Sequence, residues 1–335
     1  MDRRDFLKKS LLTGGLFLAR NRHIRALAAA PQVDAPQDNG DRSRVVISRD
    51  ADLRTRAGSL DTDRLLRMLD NGMRAAFDRD NAVEAWRRVI RPDEVVGLKV
   101  NCLSGLGNST TVELVDAICE RLREAGVNEK NIVVWDRLNE DLEKAGFPVR
   151  HRGGGIRYMG NDVLGFDHEL STYGSAASLL CRTLTAVCDC VINIPVLKDH
   201  GIAGVTVSLK NMFGAIHNPN KYHLDVGDPY IADVNMLWAI RQKTRLTICD
   251  ATTAQYEGGP SYLPHWNWEY NGLLLGSDPV ALDTVGWRLI EEKRMIEGVP
   301  TLAEAGREPT YIATAADANH GLGTNDAERI DLVEV

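Results

Sequence analysis

The sequence of 335 residues lacks the motifs that would assign it to several common functional classes. Its 6 cysteines form no Cys-x-x-Cys pair and no closely spaced run of four, so an iron–sulfur cluster of its own is not expected. Most of these cysteines are expected to be small buried side chains. The net charge is -7 and no RNA or DNA motif is present, which argues against a nucleic-acid partner.

The first 30 residues differ from the rest of the chain in charge. They hold seven Lys or Arg and two Asp or Glu, a charge of +5, which leaves -12 on the remaining residues. Arg3 to Lys8, RRDFLK, resemble the twin-arginine export signal. The following apolar run, Leu11 to Ala19, is about nine residues long, far short of the ~20 that span a bilayer.

Residues 1–30 are therefore predicted to be a signal segment that the twin-arginine translocation machinery recognises. This predicts a periplasmic or extracytoplasmic protein, which an uncleaved signal would tether to the membrane. Residues 31–43, PQVDAPQDNGDRS, are polar and rich in Pro and Asp and predict a flexible linker. A folded domain is expected over residues 44–335.

Apolar segments of strand length alternate with amphipathic helices in this domain. This alternation predicts an α/β fold with an open, mostly parallel sheet and helices on both faces, in one body or two lobes. A capping box at Thr110 and Glu113 predicts the start of one helix. Residues 151–180 are Gly-rich and predict an irregular surface excursion. The main predicted strands are 94–101, 131–136, 190–198 and 246–251.

Polar residues follow several of these strands. Because ligands bind beyond the carboxyl ends of the strands in open α/β sheets, these residues are expected to converge on one cleft. Lys99 and Asn101 are predicted to contact a ligand there. Asp250 and Glu257 are predicted to orient groups or transfer protons. Two further predicted ligand contacts, Gly258 and Gly259, would let the backbone approach the ligand closely.

The stretch from Leu197 to His223 holds most of the remaining candidates. Its bases lie among Gly, Ile, Val, Met and Phe rather than among acids, so a lysine there must reach an acid or a ligand. Lys198 and Lys210 are predicted to hold an anionic small molecule, with His200 as the acid/base. The neighbouring predicted ligand contacts are Asn211 and Lys221.

A divalent metal is the alternative occupant of this stretch. His200, His217 and His223 could supply three imidazoles, as at an open catalytic zinc or nickel site. Their spacing matches no His-x-x-x-His pair on a helix. The residues therefore leave an anion site and a metal site as alternatives.

The segment INIPVLKDHGIAGVTVSLKNMFGAIHNPNKYH resembles the central motif of the domain-of-unknown-function-362 family. In that motif an apolar strand ends in Pro-x-Leu-Lys-x-His and a later segment ends in Leu-Lys-Asn-Met/Leu-Phe-Gly. The segments VGLKVNCLSG, LTICDA before EGGP, and GSDPVALDTVGWRLI resemble the family too. The resemblance covers about residues 44–335 and implies no assigned reaction. Some relatives carry ferredoxin-like iron–sulfur modules, whose cysteine run this chain lacks.

The residues and the resemblance together predict an exported enzyme that binds an anionic small molecule in a Lys/His-lined cleft, with metal assistance as an option. The alternative is a non-catalytic binding or maturation protein that accompanies an exported redox system and contacts a redox partner protein. In a third reading, the lysines and histidines only form a buried ion-pair network that stabilises the fold.

Overall fold

The computed structural model describes residues 42–335, so the predicted signal segment 1–30 lies outside the described residues. The first strand begins at Ser43, the last residue of the predicted linker. No helix in residues 42–335 combines the length and the apolar character needed to cross a bilayer.

The strands of residues 42–335 are β1 Ser43–Arg49, β2 Val96–Lys99, β3 Ile132–Asp136, β4 Arg157–Gly160, β5 Ser171–Tyr173, β6 Ala176–Ser178, β7 Cys190–Asn193, β8 Val196–His200, β9 Gly204–Thr206, β10 Thr244–Gln255, β11 Asn267–Trp268, β12 Gly272–Gly276 and β13 Ile330–Glu334. The α-helices are α1 Thr62–Phe77, α2 Ala82–Arg87, α3 Val112–Glu124, α4 Asn139–Lys144, α5 Ser208–Asn211, α6 Tyr230–Asn235, α7 Trp238–Lys243, α8 Pro279–Ile296 and α9 Tyr311–Ala316.

Eleven of these strands form one mixed, mostly parallel sheet. Its order is β13-β1-β12-β10-β7-β2-β3-β4, with β8 and β11 paired to β10 and β9 paired to β8. The run from β10 through β7, β2 and β3 to β4 is parallel, whereas β12 is antiparallel to both of its neighbours. Strands β5 and β6 form a separate hairpin. The predicted α/β fold is confirmed.

The sheet separates two hydrophobic clusters. In β3, Val133 and Trp135 belong to one cluster, whereas Ile132 and Val134 belong to the other, because alternate side chains of a strand point to opposite faces. Helices α1 and α3 contribute their apolar residues to the cluster of Ile132, and α8 contributes its apolar residues to the cluster of Val133. Helices therefore cover both faces, as predicted.

The predicted single strand 190–198 is two strands, β7 and β8. Pro195 lies between them and has no N–H to continue a ladder of hydrogen bonds. After this break β8 pairs with the second half of β10, which is 12 residues long and runs well past the predicted segment 246–251. The break directs Lys198 and His200 away from the central parallel strands.

The predicted irregular excursion 151–180 is only partly irregular. Residues 157–160 form β4, which pairs in parallel with β3 at the edge of the sheet. The sequence signal is weak because only four residues take part and glycines surround them. The prediction of an entirely irregular segment was wrong for this strand and for the hairpin of β5 and β6.

All six cysteines are free and buried, at positions 102, 119, 181, 188, 190 and 249. Burial raises the pKa of the thiols of Cys119, Cys181 and Cys190 to about 12. The thiolate is the reactive form of cysteine, so these side chains are unreactive packing groups in the folded chain. The prediction of small buried side chains is confirmed for the whole set.

Candidate functional site

Lys99, at the carboxyl end of β2, is almost completely buried and forms an ion pair. Its Nζ donates to Asp136 Oδ1 at 2.7 Å and to the backbone oxygen of Val100 at 2.7 Å. The other carboxylate oxygen of Asp136 accepts from the backbone N–H of Cys102 at 2.7 Å. Buried charges persist in proteins when they are paired in this way. Lys99, predicted to bind a ligand, thus has a protein partner for its charge.

Lys198, in β8, is also buried, but its hydrogen-bond acceptors are neutral. Its Nζ donates to Asn101 Oδ1 at 2.9 Å, Ser104 Oγ at 2.8 Å and the backbone oxygen of Asn108 at 3.0 Å. Burial lowers its pKa to about 8, a shift that Asp136, Cys102 and Asp199 partly offset. All three N–H donors of the ammonium are used. Lys198 therefore places a fixed positive charge at the site without offering a free donor.

A chain of side-chain amides connects these lysines to helix α5. Asn101 Nδ2 donates to Asn211 Oδ1 at 2.9 Å, and Asn211 Nδ2 donates to Asn193 Oδ1 at 2.7 Å. Asn193 Nδ2 in turn donates to the backbone oxygen of Ser208 at 2.9 Å. The predicted ligand contacts Asn101 and Asn211 are therefore engaged with protein groups and support the site from within.

Lys210, on α5, differs from both other buried lysines. It is only 8% exposed, and its ammonium has no hydrogen bond or carboxylate partner within residues 42–335. Its Nζ lies 4.3 Å from the ring centroid of Phe213. Burial, together with the charge of Lys198, lowers its pKa to about 7.

His200, at the end of β8, offers a second unused donor. Its Nδ1 accepts from the backbone N–H groups of Ala203 at 3.0 Å and Ile202 at 3.2 Å, so the neutral ring carries its proton on Nε2. Nε2 has no partner within residues 42–335. Burial lowers the pKa of His200 to about 2, with a further lowering from Lys210 and His223. A group with this pKa is neutral near pH 7 and suits hydrogen-bond donation better than the predicted proton transfer.

His223 completes the cluster, in which Lys210, His200, His223 and Phe213 lie together. Its ring stacks on that of His200 with centroids 5.3 Å apart and stands edge-on to Phe213 at 5.5 Å. Burial, and then the charge of Lys210, lower its pKa as well. We refer to these four residues as the Lys210 cluster.

Two exposed residues of the predicted site, His217 and Lys221, lie apart from the Lys210 cluster. The exposed His217 stands edge-on to Phe166 at 5.1 Å, and the exposed Lys221 donates to the backbone oxygen of Ala177 at 2.8 Å. Within residues 42–335 no group of three or more His, Cys, Asp or Glu side chains is arranged to hold a metal ion. The predicted set of three imidazoles is thus not assembled, because His217 contacts a different part of the fold.

Glu257 belongs to a network of arginines. Its Oε2 lies 2.5 Å from both Arg294 and Arg307, and Arg307 also pairs with the buried Asp199 at 2.6 Å. Burial alone would raise the pKa of Glu257, but the two arginines outweigh it and the pKa is lowered. Glu257 is therefore a fixed carboxylate, and its predicted role in proton transfer has no support from this geometry.

Asp250, in β10, is committed to the backbone of two neighbouring segments. Its Oδ2 accepts from the N–H and hydroxyl of Thr111 at 2.8 Å each, and its Oδ1 accepts from the N–H and hydroxyl of Thr252. Helix α3 begins after Thr111, whose own side chain does not cap it. The predicted capping box at Thr110 and Glu113 was wrong, since Thr110 Oγ1 donates to Ile194 instead. Asp250 thus joins β10 to the start of α3.

Gly258 and Gly259 approach protein groups rather than open space. A side chain at Gly259 would collide with the backbone oxygen of Asp199, and Gly259 N–H donates to Asp199 Oδ1 at 2.8 Å. Gly258 has a φ of 78°, in the region that favours glycine, and faces Leu263. Gly259 thus approaches the strand that carries Lys198 and His200, whereas the predicted approach of this pair to a ligand stays a prediction.

Gly259→Ala is expected to lower the free energy of unfolding by about 1–3 kcal/mol, because the added methyl group forces β8 and the loop apart. Chemical denaturation should show this loss. Gly154→Ala is a matched control, since no atom lies within 4 Å of the added group and its φ is not in the left-handed region. An equal effect of the two substitutions would contradict the close packing described here.

Helix α5, which carries Lys210, is held by two longer-range contacts. Asp283 of α8 accepts from the backbone N–H of Ser208 at 2.6 Å, and burial raises its pKa to about 8. Asn235 of α6 donates to the backbone oxygen of Leu209 at 3.0 Å. The position of Lys210 therefore depends on α6 and α8 as well as on its own strand-to-helix turn.

His320 anchors α6 through a pair of carboxylates. Its Nε2 lies 2.9 Å from Asp233 Oδ1 and its Nδ1 lies 2.8 Å from Asp317 Oδ1. Burial alone would lower its pKa, but the two carboxylates outweigh this and raise the pKa above 6.5. The stabilisation from the charged ring is therefore fully present below pH 6.5 and is lost as the pH rises through the raised pKa.

His320→Gln is expected to lower the free energy of unfolding by about 1.5–3 kcal/mol below pH 6.5, and by less above the raised pKa. Urea denaturation at one pH in each range measures the difference, with the exposed His151→Gln as control. A pH-independent loss would rule out the charged ring as its source.

Several residues that shape the site were not among the predicted site residues. Asp136 is the last residue of the predicted strand 131–136, and its place at a strand end was a usable signal for its pairing with Lys99. Phe213 lies within the Leu-Lys-Asn-Met-Phe-Gly segment, three residues after Lys210. Arg307 and Asp283 lie far along the chain from their partners, and no local pattern marks them.

Comparisons with known proteins identify the family. The family described as "Domain of unknown function (DUF362)" matches residues 96–288, which include β2, β8 and the Lys210 cluster. No curated protein matched the chain. A crystal structure of a protein from Thermotoga maritima is similar with a TM-score of 0.42 and 11% identity, over 70% of this chain and 59% of that one. The chain thus spans less than two thirds of that protein.

The family match confirms the resemblance seen in the central motif, and it includes every predicted site residue from Lys99 to Gly259. The description of the family names no reaction, ligand or partner. Because the match covers more than half of the 335 residues, the chain belongs to the family of domain of unknown function DUF362.

Proposed function

We propose that the protein is an exported enzyme that binds a small anionic molecule at the Lys210 cluster. One observation carries this proposal: Lys210 is a buried cation without a partner in residues 42–335, beside the unused Nε2–H donor of His200. A buried ammonium is unfavourable unless it is paired, so the site lacks a negative charge that a ligand would supply. Export is proposed from residues 1–30 alone.

The charges around the cluster support an anion over a cation. Lys198 contributes a second buried positive charge, which lowers the pKa of Lys210. The nearby carboxylates of Asp136, Asp199 and Glu257 are each paired with a lysine or arginine. An anion would therefore meet uncompensated positive charge, and its arrival would raise the pKa of Lys210.

A non-catalytic binding protein is the second candidate, and a specific observation favours it. Asp250 and Glu257 are fully engaged with protein groups, and the lone pair of His200 Nδ1 already accepts from two backbone N–H groups. These three residues then supply no general base, which a carrier or maturation protein for an exported redox system would not need. Ligand turnover distinguishes the enzyme, whereas binding without turnover favours this candidate and contact with a redox partner protein.

Isothermal titration with phosphate, acetate and oxalate tests the anion site. We expect at least one of them to bind, with proton uptake near pH 7, and Lys210→Met to weaken that binding by about 10-fold or more. Lys130→Met is the control, because Lys130 is exposed and lies in a different part of the fold. Equal binding by the two variants would show that Lys210 does not hold the anion.

A further inference from the structure

The three buried lysines within residues 42–335 differ in whether a protein group holds their nitrogen. Lys99 Nζ is held by Asp136, and Lys198 Nζ donates to three oxygens. Lys210 Nζ donates to no group of residues 42–335. Among these three lysines, it is therefore the one whose nitrogen no protein group holds.

The surroundings of Lys210 favour the neutral amine. The ring of Phe213 lies beside the nitrogen, a second lysine contributes a like charge, and no carboxylate pairs with it. A lysine that is desolvated in an apolar pocket next to another cation is an activated nucleophile toward carbonyl compounds. With a pKa of about 7, a large fraction of the side chain is unprotonated at neutral pH.

We infer that Lys210 forms a Schiff base with a small oxo acid, a molecule that carries both a carboxylate and an aldehyde or ketone group. The inference rests on the proposed anion site and names the class of its ligand. The carboxylate provides the negative charge that the site lacks. The His200 Nε2–H is an unused donor suited to polarising the carbonyl oxygen.

The chemical step balances without an oxidant, a reductant or a metal. The Lys210 nitrogen adds to the carbonyl carbon, and one amine hydrogen moves to the oxygen to give a carbinolamine. The C–O bond then breaks, the oxygen leaves as water with the second amine hydrogen, and a C=N bond forms. Lys198 has a higher pKa than Lys210, and three hydrogen bonds hold its nitrogen, so it competes less as a nucleophile.

Reductive trapping tests this step. The full chain is treated with glyoxylate or pyruvate and sodium cyanoborohydride, then measured by intact mass and peptide mapping. We expect one adduct, equal to the acid less one water plus a hydride and a proton, on the peptide that contains Lys210. The yield should rise with pH through about 7, because the neutral amine is the reactive form. Mapping of the unaltered protein makes this test independent of any variant's folding.

Two variants test whether the adduct forms on Lys210 specifically. Lys210→Arg keeps the positive charge but cannot form the imine, so we expect it to lose the adduct, whereas Lys130→Met should retain it. Adducts spread evenly over exposed lysines, or unchanged in Lys210→Arg, would overturn the inference.

Oxalate separates this inference from the proposed function, since it carries the charge without a reactive carbonyl. If oxalate binds and no Lys210 adduct forms, the Schiff base is wrong and the anion site stands. If the adduct forms and none of phosphate, acetate and oxalate binds, the amine chemistry stands and the anion site is wrong. Failure of both measurements overturns both.

Discussion

Lys99→Met is expected to lower the free energy of unfolding by about 3–5 kcal/mol, because it leaves the carboxylate of Asp136 buried without its partner. The side chains of this pair are 1% and 7% exposed, so water cannot replace the lost ammonium. Urea denaturation measures the effect, and Lys130→Met at an exposed position is the control.

A second substitution identifies the source of this loss. In Lys99→Met/Asp136→Asn the amide oxygen can still accept from the N–H of Cys102, and no unpaired charge remains. We expect the double variant to recover part of the stability that Lys99→Met loses. No recovery would mean that packing around Lys99, rather than the charge of Asp136, dominates.

In contrast to Lys99→Met, Lys210→Met is expected to raise the free energy of unfolding, by about 1–4 kcal/mol at neutral pH. Methionine has a similar length and can pack on Phe213, whereas the ammonium lies there without a partner. Thermal and urea denaturation of the same preparation should agree on the increase. A loss of stability on this substitution would reveal a partner for Lys210 and contradict the description of the site.

The difference in free energy of unfolding between Lys210→Met and the natural protein should decrease as the pH rises. The pKa of Lys210 is lowered from 10.5 to about 7 in the folded chain, so the unfolded chain binds more protons between these values. The stability of the natural protein should therefore rise, relative to Lys210→Met, as the pH increases from about 7 toward 10.5. The stabilising effect of the substitution is largest at and below pH 7 and disappears at high pH.

The sequence was a good guide wherever the signal is local. Alternation of apolar segments and amphipathic helices was enough for the α/β sheet with two covered faces. Apolar surroundings without acids predicted that both Lys198 and Lys210 hold a ligand, and of these two lysines only Lys210 lacks a protein partner within residues 42–335. Local signals could not show that Lys99 and Lys198 already have partners, because those partners, Asp136 and the loop around Ser104, come from other strand ends.

The predicted roles of Asp250, Glu257 and His217 show what sequence position alone could not establish. Each is a polar residue next to a strand or loop of the site, and position alone made it a candidate. Their contacts with Thr111, Arg294 and Phe166 depend on how distant segments pack. A carboxylate that caps a helix and one that transfers a proton have the same sequence signature.

The six buried thiols have a consequence for how the chain tolerates an oxidising compartment. While the fold is intact, an oxidant finds almost no thiolate to attack, and the chain needs no disulfide to persist. Once the fold opens, six thiols become available together, and random cross-links would then prevent return to the native state. Under oxidising conditions the lifetime of the protein is therefore set by its rate of unfolding rather than by its equilibrium stability.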